Sequence, residues 1–143
     1  NRGGVCSLSW HVDNPVTGEA SWDVSDSTAV ASVLPGGENH GKFLGWLDRV
    51  ADFMNSLVTK EGVKIQVIFR PWHEHTGSWF WWGQNLCSAE EYKSLWKMTD
   101  YLQEKGVNHL LYAYSPGSEP DNVNEYLERY PGDGMVDLFG FDT

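Results

Sequence analysis

Val63-Lys-Ile-Gln-Val-Ile-Phe69 runs directly into Arg70-Pro-Trp-His-Glu74. Apolar residues at 63, 65 and 67 with a fully apolar end are expected of a buried parallel strand. Pro71 then removes a ladder donor and stops it. On the N-terminal side, Phe43, Trp46, Leu47, Val50, Phe53, Met54 and Leu57 recur at intervals of three and four, which predicts a helix over Lys42–Thr59. On the C-terminal side, Ser88-Ala-Glu-Glu91 has the pattern of a capping box. The helix it opens continues through Tyr92, Leu95, Trp96, Thr99 and Leu102 and closes at Gly106.

Further outward, His109–Tyr114 reads as a strand, Ser115–Pro120 as a loop, Asn122–Tyr130 as a short helix stopped by Pro131, and Met135–Phe141 as a last strand. At the other end Gly3–Trp10 reads as a first strand. Residues 11–41, rich in Pro and Gly, read as a long working loop with at most one helical turn. The alternation of strand and helix predicts an α/β fold of parallel strands joined by right-handed crossovers. A doubly wound sheet and a barrel both fit. A complete eight-stranded β/α barrel needs roughly 250 residues, so with 143 residues a barrel reading is a reading of part of one, and the chain counts as one domain or one part of a domain.

Ten Lys and Arg against 20 Asp and Glu give a net charge of −10, so nucleic acid and acidic membrane surfaces would be repelled. No stretch approaches the roughly 20 apolar residues of a membrane span. The start, Asn-Arg-Gly-Gly-Val, lacks a signal-peptide layout and reads as cut. Cys6 and Cys87 are too sparse for a disulfide scaffold or a zinc site. The 8 Trp are more telling, because four of them fall between residues 72 and 82. A core does not require that clustering.

Ligands of parallel β/α folds meet the loops after the carboxyl ends of the strands. Those positions hold Trp10-His11, Arg70-Pro-Trp-His-Glu74, Tyr114-Ser-Pro116 and Asp142. Indoles beside Glu, Asp, His and Arg suit a sugar, whose C–H faces rest on flat rings while its hydroxyls need directional partners. A carboxyl group against an indole is desolvated, which suits Glu74 beside Trp72 or Trp79 to proton donation.

Blander readings stand beside these. Trp10, Trp46 and Trp96 fit the core, whereas Trp79, Trp81 and Trp82 lie in a loop, where function concentrates. Glu74 is alternatively a salt-bridge partner of Arg70, and His40 and His109 read as structural or surface residues. Asp121 and Glu125 share a helix face that reads as solvated. His73-Glu74-His75 does not make a zinc helix motif, since position 77 is Gly. A dinucleotide fingerprint is missing too. No metal or cofactor is expected.

Arg70-Pro-Trp-His-Glu74 followed by Gly77-Ser-Trp-Phe-Trp-Trp-Gly83 closely resembles the acid/base signature of glycoside hydrolase family 26, the β-mannanases. Gly3-Gly4 through Trp10-His11, with Asn14-Pro15 and Gly18, resembles the family's preceding strand and loop. Tyr114-Ser115-Pro116, Tyr130-Pro131-Gly132-Asp133 and Gly140-Phe141-Asp142 resemble later motifs in the same order. The resemblance implies a partial (β/α)8 barrel, strands three to six, with Glu74 just beyond the fourth.

It further implies that Glu74 is the general acid/base of a retaining double displacement, that His73 fixes its environment and that Trp79 stacks on sugar. Trp82 and Arg70 are expected to touch substrate as well. His11 would line the non-reducing side, and Asp142 would support the nucleophile and sugar. The family's nucleophile ends a seventh strand, beyond Thr143, and the tyrosine expected soon after Asp142 is missing. An isolated acid/base half would be inactive and would expose apolar faces that other strands cover. His75-Thr76 departs from the family's usual residues and would tune the subsites.

The implied activity is endo-β-1,4-mannanase action on mannan, galactomannan or glucomannan by a monomer that is secreted, periplasmic or at the cell surface. Alternatives are a β-glucanase or xylanase on the same scaffold, a carbohydrate-binding module, which helical periodicity disfavours, and a doubly wound small-molecule enzyme lacking a phosphate loop.

Overall fold

The computed structural model describes residues 3–143. Four parallel strands, β1 (Cys6–Ser9), β2 (Val67–Arg70), β3 (Leu110–Tyr114) and β4 (Leu138–Phe139), lie side by side in chain order. The helices between them are α1 (Ala29–Val33), α2 (His40–Ser56), α3 (Ala89–Lys97), α4 (Asp100–Glu104) and α5 (Val123–Leu127). Strand order equal to chain order is the path of a barrel wall, whereas a doubly wound sheet reverses direction from its first strand. The sheet is open, with β1 and β4 as its edges.

On β2 the side chains alternate: Val67 and Phe69 are buried, while Ile68 and Arg70 stay partly exposed. Phe69 joins Tyr112 and Tyr114 of β3 in a core with Phe43, Leu47, Ala51 and Met54 of α2 and Tyr92, Leu95 and Trp96 of α3. The opposite phase sends Arg70 to the other face, at the carboxyl end of the strand. Ser88 and Glu91 form the expected capping box, the Ser88 hydroxyl accepting from the Glu91 amide and the Glu91 carboxylate from the Ser88 amide.

Three expectations change. The strand anticipated from Val63 begins only at Val67; residues 58–65 instead fold back through a Val58–Lys64 bridge, leaving Val63 exposed. The helix anticipated over residues 88–105 breaks between α3 and α4. There the Met98 and Thr99 amides bond three residues back and the Thr99 hydroxyl donates to the Trp96 carbonyl, tightening the turn. On α2 the apolar arc is wider than the buried one. Phe53 is exposed, and Trp46, packed against the core beside Phe43, also lines an open groove with Trp10 and His11.

Candidate active site

The carboxyl ends of the four strands converge as expected. Arg70 ends β2 and pairs with Asp142 beyond β4. The second carboxylate oxygen of Asp142 accepts from the Ser115 hydroxyl at 2.7 Å, and its amide donates to the Pro116 carbonyl at 2.9 Å. Arg70 is therefore committed to Asp142, so the reading of Glu74 as its ion-pair partner falls.

Glu74 is fixed differently. Its backbone amide donates to the Ser115 carbonyl at 2.8 Å, tying the loop after β2 to that after β3. Its carboxylate Oε2 accepts the indole N–H of Trp79 at 2.7 Å. Trp72 and Glu74 both occupy the left-handed region, with φ of 56° and 54°. Such conformations cost a non-glycine residue about 1 kcal/mol or more and cluster at functional sites. Here they turn Trp72 inward and Glu74 outward.

The loop that follows is folded by its glycines. A Cβ on Gly77 would stand 2.1 Å from the six-membered ring of Trp79, so only glycine lets that indole fold back to Glu74. A Cβ on Gly83 would stand 2.6 Å from the Gly77 carbonyl, and the Gln84 amide donates to that same carbonyl at 2.9 Å to close the neck of the loop. Arg129, just beyond α5, holds the far end by donating to the Gln84 and Cys87 carbonyls.

The band of indoles divides. Trp79 remains open to solvent, 37% exposed. Trp82, expected to touch sugar, is fully buried: it stacks on Phe80 and donates its N–H to the His73 carbonyl at 2.9 Å, so it supports the site from beneath. Trp81 is buried too and donates to the Val12 carbonyl at 3.0 Å, joining this loop to the one after β1. Trp72 lies in the core against Trp10, Phe43, Trp81 and Trp82, so of the two indoles expected beside Glu74 it is Trp79 that meets it.

His11, exposed, and His73, buried, meet edge to face with their Nε2 atoms 3.3 Å apart, one donating to the other. Burial, followed by the nearby His11 and Arg70, lowers the His73 pKa to about 4, so its ring is neutral at neutral pH. His75 does not tune a subsite: it is buried between Tyr92 and Tyr114. Thr76 stays partly exposed and donates to Glu119.

His40 and His109 are structural, each with a ring nitrogen at a backbone carbonyl, that of Val33 or Met54. Glu125 accepts from the Asp121 amide at the exposed start of α5. Sequence reasoning passed over Trp22, 60% exposed and resting on Phe80, which in turn lies against His11 and His73. Its one visible signal was an indole in a loop without helical or strand periodicity.

Parallel strands laid in chain order, with an acidic side chain held by an exposed indole and an Arg–Asp pair at their carboxyl ends, place the chain among β/α-barrel proteins. The chain belongs to the family described as Glycosyl hydrolase family 26, whose profile matches residues 1–143. Among its relatives, a mannan endo-1,4-beta-mannosidase of Bifidobacterium adolescentis is 47% identical over 99% of this chain, which spans 14% of that protein. One of Bacillus subtilis strain 168 is 32% identical over 99% of the chain, which spans 40% of it.

In three dimensions the chain superimposes on a family 26 β-mannanase of Bacteroides ovatus with a TM-score of 0.97 at 70% identity, covering 99% of this chain and 41% of that one. A modular endo-β-1,4-mannanase of Cellulomonas fimi gives 0.93 at 44% identity, covering 99% and 32%. The chain thus spans less than half the length of these relatives, and its open sheet is an arc of the (β/α)8 barrel.

Proposed function

We propose that the full-length protein is an endo-acting β-1,4-mannanase that cleaves mannan, galactomannan or glucomannan with retention, and that Glu74 is its general acid/base. The observation that carries this reading is the Trp79 indole donating to Glu74 Oε2 at 2.7 Å. It sets a proton-transfer group directly beside a flat face on which a sugar ring can rest. Relatives named as mannan endo-1,4-beta-mannosidases support the choice of polymer.

In this reading Glu74 protonates the bridging oxygen while a nucleophilic carboxylate attacks the anomeric carbon, forming a glycosyl-enzyme. The same Glu74, now ionised, takes a proton from the water that releases the sugar. The nucleophile, needed about 5–5.5 Å away, comes from outside residues 1–143. His11, Trp79 and Trp22 contact sugar, while His73 and the Arg70–Asp142 pair order the floor. A polymer too large to enter a cell is the reason for reading the enzyme as secreted, periplasmic or at the cell surface.

The test is Glu74→Gln in the full-length protein. Turnover of galactomannan should fall by about 100- to 10,000-fold, whereas formation of the glycosyl-enzyme from a dinitrophenyl mannoside, whose leaving group needs no proton, should persist. Equal rates of variant and wild type on galactomannan would remove Glu74 from the role. Faster cleavage of lichenan or xylan than of any mannan would remove the assigned polymer.

A further inference from the structure

A single hydroxyl reaches both sides of Glu74, bonding the main chain of Trp72 and the side chain of His75. Tyr92, on α3 and wholly buried, lies 2.7 Å from the Trp72 carbonyl, 2.8 Å from His75 Nδ1 and 2.9 Å from the Trp96 indole nitrogen. A carbonyl only accepts and an indole N–H only donates. The one proton of Tyr92 therefore goes to Trp72, and its oxygen accepts from Trp96 and from His75 Nδ1–H. His75 is thereby fixed in one tautomer. Its Nε2 faces the Tyr114 hydroxyl at 3.1 Å, for which the Tyr126 carbonyl at 2.8 Å is the alternative acceptor.

The segment between these anchors contains both left-handed residues, Trp72 and Glu74. A backbone of that kind persists only where its surroundings hold it. The Ser115 carbonyl holds the Glu74 amide from one side, and Tyr92 holds Trp72 and His75 from the other.

We propose that Tyr92 and His75 are positioning residues for the Glu74 carboxyl, one buried hydroxyl clamping both flanks of the strained turn that aims it into the cleft. The inference rests on the acid/base reading of Glu74. Neither residue touches substrate, since both are buried. Burial also lowers the His75 pKa to about 3, so the ring is neutral at neutral pH.

The experiment compares Tyr92→Phe, His75→Leu, His75→Asn and Glu74→Gln in the full-length protein, on galactomannan and on a dinitrophenyl mannobioside. Tyr92→Phe and His75→Leu should lower kcat on galactomannan by about 10- to 100-fold with KM unchanged, as misplacement of a catalytic group does. On the activated substrate kcat/KM should stay within about 3-fold of wild type, because departure there needs no proton.

His75→Asn, whose amide N–H reaches the place of Nδ1–H, should recover most of the loss. Equal losses on both substrates would reduce the clamp to a folding role and overturn the proposal, as would unchanged turnover of galactomannan. If Glu74→Gln gives the split between substrates while neither Tyr92→Phe nor His75→Leu does, this inference alone fails. If Glu74→Gln leaves galactomannan turnover intact, the acid/base reading itself is lost.

Discussion

Trp79 donates its indole N–H to Glu74 Oε2 across a distance of 2.7 Å, so the aromatic platform and the acidic group are joined rather than merely adjacent. Replacing Trp79 by Phe keeps a ring and removes the donor. Loss of a hydrogen bond to the protonated carboxyl is worth about 0.5–1.5 kcal/mol, so kcat/KM on galactomannan should fall by roughly 2- to 10-fold. A fall no larger than that on the dinitrophenyl substrate would mean that the bond does not serve proton transfer.

Gly77 is the residue that permits this contact. Gly77→Ala would drive a methyl group into the Trp79 ring, so the indole must leave Glu74 or the loop must shift. The variant should lose activity and show altered tryptophan fluorescence. Because the damage passes through Trp79, adding Gly77→Ala to a Trp79→Ala background should cost little further. Additive losses in that double-mutant cycle would contradict the mechanism.

Exposure reverses the order of two indoles, Trp82, which the sequence singles out, and Trp22, which it does not. Trp82→Ala empties a fully buried site and should cost about 3–5 kcal/mol of stability, read as a lower urea midpoint. Trp22→Ala removes a ring that is 60% exposed and should change stability by less than about 0.5 kcal/mol while raising KM for mannan. An unchanged KM would exclude Trp22 from the substrate path.

Stability should depend on pH through the buried histidines. The unfolded chain binds a proton at each near pH 6.5, whereas burial lowers the folded value to about 4 for His73 and about 3 for His75. In that window the unfolded state carries more protons, so stability falls as pH drops from 6.5 toward 4, and for His75 on toward 3, by about 1–3 kcal/mol per residue. Urea midpoints of the full-length protein across this range test it. His73→Gln and His75→Gln should each flatten the dependence, and slopes parallel to wild type would show that the rings contribute nothing.

The Arg70–Asp142 pair crosses from β2 to beyond β4 and is partly open to solvent. Arg70→Met strands a carboxylate near the cleft and should destabilise by about 1–3 kcal/mol. Arg70→Lys should recover only part of this, since it lacks the planar fork. Full recovery in urea denaturation would indicate that charge alone matters there.

Much of the protein was legible without coordinates. Periodicity located α2, because a repeating pattern reports which side of an element is buried, and the Ser88-Ala-Glu-Glu91 pattern located the capping box of α3. The motif from Arg70 to Gly83 singled out Glu74 and Trp79, because their chemistry is local in sequence. The loop that carries them has no period, so nothing in its letters says which way each ring turns.

Tertiary contacts alone made those choices, through partners distant in the chain. Trp81 is drawn inward by the Val12 carbonyl, Arg70 is taken by Asp142 rather than by its neighbour Glu74, and His75 is captured by Tyr92 and Tyr114. The sequence by itself determined the parallel β/α order and singled out Glu74 as the candidate acidic group. The folded structure decided which aromatic faces reach solvent and which hydroxyl holds the turn, because buried donors and acceptors must find partners wherever the fold brings them.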